Sequence, residues 1–178
     1  MPSYNVYLGD VNSGLNDETK NAVRTTLQGW FGRIVPSGTT AVVSWVSATP
    51  ASIQASELLV YFVKNSLESV VRGMPGGPGS AGTGDGLTAW TNSLTASEVY
   101  VSSSRSYLAE MAFHELMHNK LHLGDAALHS RNGLATVPVT AGTSPSTQNI
   151  TQLRAALNTS QPQWTGAWTA INDPLFGL

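Results

Sequence analysis

The chain has 178 residues, the length of one domain that can bury an ordinary hydrophobic core without covalent cross-links. It contains no cysteine, which excludes disulfides, thiolate metal sites and cysteine nucleophiles. The formal net charge is -2 and no run of Lys or Arg occurs, so the basic surface of a nucleic-acid-binding protein is missing. We therefore expect a single domain over residues 1–178 that has no nucleic acid as a partner.

The N-terminal segment MPSYNVYLGDVNSG has neither a basic start nor an apolar stretch, so it does not have the pattern of a signal peptide. No apolar run reaches the length of a membrane span. Only 11% of the residues are charged, less than half of the usual quarter, and Ser, Thr and Gly are plentiful. Such a neutral, hydroxyl-rich composition favours a secreted toxin or effector module delivered by a non-classical route, and a cytoplasmic protein is the alternative.

The apolar pattern predicts the order strand, helix, strand, strand, long loop, strand, helix, followed by a C-terminal helix. A helix over residues 18–31 follows the first strand, and Asn16 or Asp17 is its expected N-cap. Gly32 and Pro36 are expected to end this helix. The other predicted elements are strands over 4–11, 39–48, 57–63 and 98–102 and helices over 105–123 and 147–157.

Three of these segments bear on the position of a site. The strand over 57–63 is apolar at nearly every position, as in a strand that lies inside a sheet. Residues 74–86, MPGGPGSAGTGDG, are so rich in Gly and Pro that they predict a surface loop without regular structure, in preference to a lid over a site. The helix over 105–123 is expected to begin at a cap formed by Ser103 or Ser104.

All four histidines lie between positions 114 and 129, in the segment HELMHNKLHLGDAALH. His114 and His118 are four residues apart on the predicted helix, so their side chains stand about 6 Å apart on one face and can bind one metal ion. Glu115 can act as the general base on a water molecule that this metal activates. The segment therefore has the HExxH arrangement of a zinc hydrolase. The alternative is a structural polar stripe on an apolar helix, whose core-facing residues would be Leu108, Met111, Ala112, Leu116 and Leu121.

Catalytic zinc usually has three protein ligands and a water molecule, so a third ligand is needed. No glutamate follows Glu115, which excludes a downstream glutamate in this role. If the helix continues, His122 lies about 12 Å along its axis from His114, too far for both to bind one ion. The remaining candidates are Asp125, His129 and the distant Asp173.

The expected end of the helix selects among these candidates. At the predicted stop, Gly124, the chain has risen about 9 Å above His118. Three or four extended residues at about 3.3 Å each return the chain to the metal, which corresponds to positions 127–129. We therefore predict His129 as the third ligand, with Asp125 as the second choice.

The HELMH segment resembles the zincin superfamily of zinc metallopeptidases, and the order of elements over residues 4–129 resembles its metzincin branch. The resemblance implies zinc bound by His114 and His118, with Glu115 as general base. It also implies an edge strand, here 98–102, along which the substrate backbone lies. The predicted fold class is therefore α+β: a zincin-like single domain with a twisted mixed sheet, an N-terminal helix, an HExxH active-site helix and a C-terminal helix.

The chain also departs from the metzincin pattern. The pattern HExxHxxGxxH would place Gly and His at the positions of Leu121 and Gly124. No methionine occurs after Met117 to form the methionine-containing turn that the branch has beneath its metal. The segment from the helix to the third ligand is accordingly longer here.

The sequence thus predicts a zinc-dependent endopeptidase with Zn2+ as its cofactor and a protein or peptide as its substrate. Arg131 or Tyr107 could stabilise an oxyanion, although a surface charge or a core aromatic explains each equally well. Two alternatives have other functions. One is a zinc hydrolase that acts on peptidoglycan or another non-protein substrate, and the other is a catalytically silent zinc-binding module.

Overall fold

The computed structural model describes residues 2–64, 69–73, 79–101, 106–159 and 162–165. The strands are β1 Ser3–Val11, β2 Thr40–Val46, β3 Glu57–Val63, β4 Gly79–Thr83, β5 Gly86–Trp90 and β6 Thr95–Tyr100. The helices are α1 Asp17–Ile34, α2 Leu108–Leu121, α3 Asp125–His129 and α4 Thr147–Ala156. The six strands form one sheet in the order β2-β1-β3-β6-β5-β4. It is mixed, because β5 pairs antiparallel with both of its neighbours and the other pairs are parallel.

β3 lies in the middle of the sheet, between β1 and β6. Every residue from Leu58 to Val63 is buried, which confirms the prediction of a central strand. Successive side chains of a strand point to opposite faces. Accordingly, Leu58, Val60 and Phe62 pack in the main core with the helices, and Leu59, Tyr61 and Val63 pack in a smaller cluster on the other face.

α1 connects the parallel strands β1 and β2. Asn16 is its N-cap, as predicted, and its side chain accepts a hydrogen bond from the backbone N–H of Thr19. The predicted end at Gly32 is wrong, because Gly32 lies on the exposed side and the helix continues to bury Ile34. The helix ends before Pro36, whose ring disfavours a helical conformation of the residue before it.

A β-hairpin occupies most of the predicted loop over 74–86, so that prediction is wrong for residues 79–83 and 86. β4 and β5 pair antiparallel and are joined by the two residues Gly84 and Asp85. Backbone hydrogen bonds hold such a ladder together, so small side chains do not prevent it. The signal in the sequence was a Gly-Asp pair between two short runs, which is a hairpin pattern. Residues 74–78 lie outside the described residues.

β6 begins at Thr95, earlier than the predicted strand over 98–102, and Ser102 lies outside the described residues. The strand is not at an edge of the sheet. It pairs with β3 through residues 98–100 and with β5 through residues 95–99. The prediction of an edge strand here is therefore wrong, because the missed hairpin covers that side of β6. The last strand on this side is β4.

The main core lies between the sheet and the helices α1, α2 and α4, which contact one another. The predicted C-terminal helix over 147–157 is confirmed as α4, and Ser146 and Asn149 form a capping box at its start. Its apolar residues Ile150, Leu153 and Leu157 are buried, as expected. Sheet and helices form a single α+β domain. In the described part of the chain, no helix has the length and apolar character needed to cross a membrane.

Candidate metal centre

α2 carries the first two histidines of the centre. His114 and His118 stand one turn apart and are both fully buried. The helix begins at Leu108 after Tyr107, which makes no side-chain cap. The expected caps Ser103 and Ser104, together with Arg105, lie outside the described residues.

The helix ends at Leu121, before the predicted stop at Gly124. His122 adopts the left-handed conformation, with φ 53°, and its backbone N–H bonds to the carbonyl of His118. A left-handed residue after the last turn is a common way for a helix to end, although glycine usually occupies it. The chain therefore changes direction at His122, one helical turn after His118.

The third histidine is brought back by α3. The predicted extended return from Gly124 is wrong, since this segment is a short helix with His129 as its last residue. The Nε2 atoms of His114 and His118 are 3.2 Å apart, and that of His129 lies 3.2 Å from His118 and 3.3 Å from His114. The predicted ligands His114, His118 and His129 therefore form one group that can hold a metal ion.

Two backbone carbonyls orient the buried imidazoles. Nδ1 of His114 lies 2.6 Å from the carbonyl oxygen of Leu134, and Nδ1 of His118 lies 2.6 Å from that of Leu123. A carbonyl oxygen only accepts, so each Nδ1 carries the hydrogen and each Nε2 presents a lone pair to the centre. This is the arrangement of metal-binding histidines.

Burial keeps these rings neutral. It is the largest cause that lowers the pKa of His114 to about 4, with smaller contributions from His118 and His129. Burial also lowers the pKa of His118. Metal ligation requires neutral imidazole, so little competition from protons is expected near neutral pH.

Comparisons with protein-family models, curated proteins and solved structures found no match to this chain. The assignment of the centre therefore rests on its geometry.

Glu115 follows the ligand candidate His114 in the sequence, and its side chain is fully buried. Its Oε2 accepts a hydrogen bond of 2.8 Å from the hydroxyl of Thr88, and its Oε1 has no partner within the described residues. Burial is the main cause that raises the pKa of this carboxyl well above its usual value, and the bond from Thr88 opposes it. At Gly86, a Cβ atom would lie 2.7 Å from Oε1 and 2.9 Å from Cγ of Glu115. The hairpin thus supplies both a hydrogen bond and the space for this carboxylate.

A buried polar chain behind Glu115 was not predicted from the sequence. The Asn119 amide donates to Ser97 Oγ at 2.9 Å and exchanges two hydrogen bonds with the side chain of Gln163. Ser97 Oγ lies 2.9 Å from Thr88 Oγ1 and 3.3 Å from the backbone oxygen of Glu115. When Thr88 donates its single hydroxyl proton to the carboxylate, Ser97 is the donor in the hydrogen bond between the two hydroxyls. The available signal was Asn119, one helical turn after Glu115.

The other described candidates make contacts of their own. His122 is exposed and contacts the ring of Trp90 edge-on at 5.2 Å between centroids. Tyr107 donates to Asp85, and Arg131 donates through Nε to the carbonyl of Ala127. Asp173 lies outside the described residues. Asp125 lies at the margin of the centre, with Oδ1 3.6 Å from His129 Nε2.

His129→Ala should weaken metal binding far more than His122→Ala, because only the first removes an Nε2 atom from the centre. Zinc dissociation constants for the two variants, measured at one pH, test this expectation. His122 is a matched control, since it belongs to the same connection and is the same residue type. A larger loss in His122→Ala would mean that the connection between α2 and α3 runs differently.

Gly133 supports the turn that presents the Leu134 carbonyl to His114. Its φ is +68°, and a Cβ atom there would overlap Asn149 Oδ1 and lie 2.8 Å from Cβ of Ser146. Gly142 has a similar φ of +80°, and a Cβ atom there would have nothing within 4 Å, so it is a matched control.

Gly142→Ala should destabilise the fold by about 1 kcal/mol through its backbone conformation alone. Gly133→Ala should lower the free energy of unfolding by about 1–3 kcal/mol more than Gly142→Ala does, because Asn149 and Ser146 have to move. Urea unfolding of both variants measures the difference. Equal losses of stability in the two variants would mean that Asn149 and Ser146 can move away from the new Cβ atom without destabilising the fold.

Proposed function

We propose that the protein is a zinc-dependent hydrolase of the zincin type that cleaves peptide bonds. The observation that carries this proposal is the triangle of Nε2 atoms from His114, His118 and His129, with separations of 3.2–3.3 Å. Tetrahedral ligands at the usual zinc–nitrogen distance of about 2.0–2.1 Å lie about 3.3–3.4 Å from one another. Three imidazole nitrogen donors with this spacing fit zinc, and three protein ligands are the usual number in a catalytic site.

The chemistry follows from the residues around this triangle. Zinc held there would polarise a carbonyl group and make water more acidic. Glu115 would take up the proton of the attacking water and pass it to the leaving amine. Its Oε1, which has no hydrogen-bond partner within the described residues, is the atom available for this step.

Thr88 has a positioning role in this proposal, because it donates a hydrogen bond to Oε2 of the Glu115 carboxylate. Thr88→Val keeps the shape of the side chain and removes the donor, so we expect kcat to fall by about 10- to 100-fold with little change in KM. Thr88→Ser is the matched control and should retain most of the activity. Zinc content should be unchanged in both variants. An equal loss in the Ser and Val variants would indicate a packing role instead.

A non-catalytic metal-binding module is the second candidate function. The observation that favours it is Asp125 at the margin of the centre, since structural zinc sites have four protein ligands. A structural site has no use for a buried carboxyl next to a ligand, so Glu115 favours the enzyme.

Metal analysis combined with mapping of cleavage sites tests the proposal. The wild-type protein and Glu115→Gln would each be incubated with a library of peptides derived from a proteome, and the new termini identified. We expect about one zinc per chain in both proteins and cleavage by the wild type only. Zinc without cleavage of any peptide favours the non-catalytic module, and cleavage of peptidoglycan fragments alone would redefine the substrate.

A further inference from the structure

Asp125 lies on the same face of α3 as His129, one helical turn before it. Its Oδ1 atom is 3.6 Å from Nε2 of His129 and 3.9 Å from Nε2 of His118. The short helix therefore delivers two side chains to the centre, an imidazole and a carboxylate.

The carboxylate lies on the solvent side of the three histidines. The side chain of His118 is 0% exposed and that of His129 is 16% exposed, whereas that of Asp125 is 50% exposed. His114 is fully buried as well. Of these four side chains, that of Asp125 is therefore the most accessible to solvent.

At 3.6 and 3.9 Å, the contacts of Asp125 with the two imidazoles are longer than hydrogen bonds. Nδ1 of His118 carries the ring hydrogen, because it faces the carbonyl of Leu123, so Nε2 of the neutral ring presents a lone pair toward the carboxylate. The guanidinium of nearby Arg131 donates through Nε to the carbonyl of Ala127. A cation at the centre would attract both this lone pair and the carboxylate.

We propose that Asp125 is a fourth, displaceable ligand of the metal held by the three histidines. This inference rests on the proposed metal centre. The Oδ1 distances of 3.6 and 3.9 Å exceed the separation of about 3.3–3.4 Å between ligands of one zinc, and a small rotation of this half-exposed side chain closes the gap. With zinc bound, the carboxylate would supply the fourth ligand, and a substrate carbonyl would displace it.

The test uses Co2+, which occupies zinc sites and reports its coordination through visible absorption. The full chain would be compared as wild type, Asp125→Ala and Asp125→Asn, with Glu18→Ala as a control that removes one exposed acidic charge on α1. Competition with a chelator gives the Co2+ and Zn2+ affinities. Acetate would then be titrated into each Co2+-loaded protein as a substitute for the missing carboxylate.

We expect Asp125→Ala to bind both ions about 10- to 100-fold more weakly and to change the Co2+ spectrum, with Glu18→Ala unchanged. Acetate should return the spectrum of Asp125→Ala toward that of the wild type. An unchanged spectrum and affinity in Asp125→Ala would overturn the ligand assignment while leaving the three-histidine centre in place. A wild-type protein that takes up no Co2+ or Zn2+ would instead overturn the metal centre itself, and the inference with it.

Discussion

Glu115→Gln should lower the rate of peptide hydrolysis by about two to four orders of magnitude, because it removes the general base and retains the shape of the side chain. The amide oxygen of Gln can still accept the hydrogen bond from Thr88. Because Gln has nearly the same size as Glu and keeps this hydrogen bond, folding and zinc occupancy should stay nearly intact. The measurements are kcat on one identified substrate, zinc content and urea unfolding.

Glu110→Gln is the matched control for this variant. Glu110 is a second buried glutamate of α2, and its Oε1 accepts a hydrogen bond from the backbone N–H of Gly142, which an amide oxygen can also do. Turnover in this control should equal that of the wild type. If Glu115→Gln retains full turnover on the same substrate, Glu115 is not the base.

The double variant His114→Ala, His118→Ala should lose its metal. It removes two of the three Nε2 atoms of the centre, and a single remaining imidazole does not retain zinc against dialysis. Zinc content is expected to fall from about one ion per chain to none, with complete loss of hydrolysis. Metal analysis after dialysis and a binding titration measure the change.

The stability of these proteins gives an independent check on metal binding. A ligand that binds only the folded state stabilises it, so added zinc should raise the Tm of the wild type and leave that of the double variant unchanged. His122→Ala should respond to zinc as the wild type does. One zinc per chain that survives dialysis in the double variant would mean that the metal lies elsewhere.

The parts of the centre that depend on local geometry were predictable. Residues four apart on a helix share a face, so the pairing of His114 with His118 followed from their spacing. His129 was found by estimating how many residues the chain needs to return to the metal. Its route was not predicted, because the left-handed conformation of His122 and the helix α3 depend on contacts with the rest of the fold.

The strand predictions succeeded for strands rich in large apolar residues and failed for strands that lack them. β3 is apolar along its length, and its central position was predicted correctly. β4 and β5 consist largely of small residues, so their pairing depends on backbone hydrogen bonds that composition does not reveal. Because the hairpin of β4 and β5 was not predicted, β6 was wrongly expected at an edge of the sheet.

By itself, the sequence determined the HExxH spacing, the absence of cysteine and of a later glutamate, and the central strand, because each depends on residue identity or helical and strand periodicity. Only the tertiary structure decided that the hairpin places Gly86 and Thr88 against Glu115, and that Asp125 stands beside the three histidines. These contacts join residues that are distant in the chain or that lie across a turn of unpredicted conformation. Their formation depends on how the sheet, α2 and α3 pack together, which no local pattern specifies.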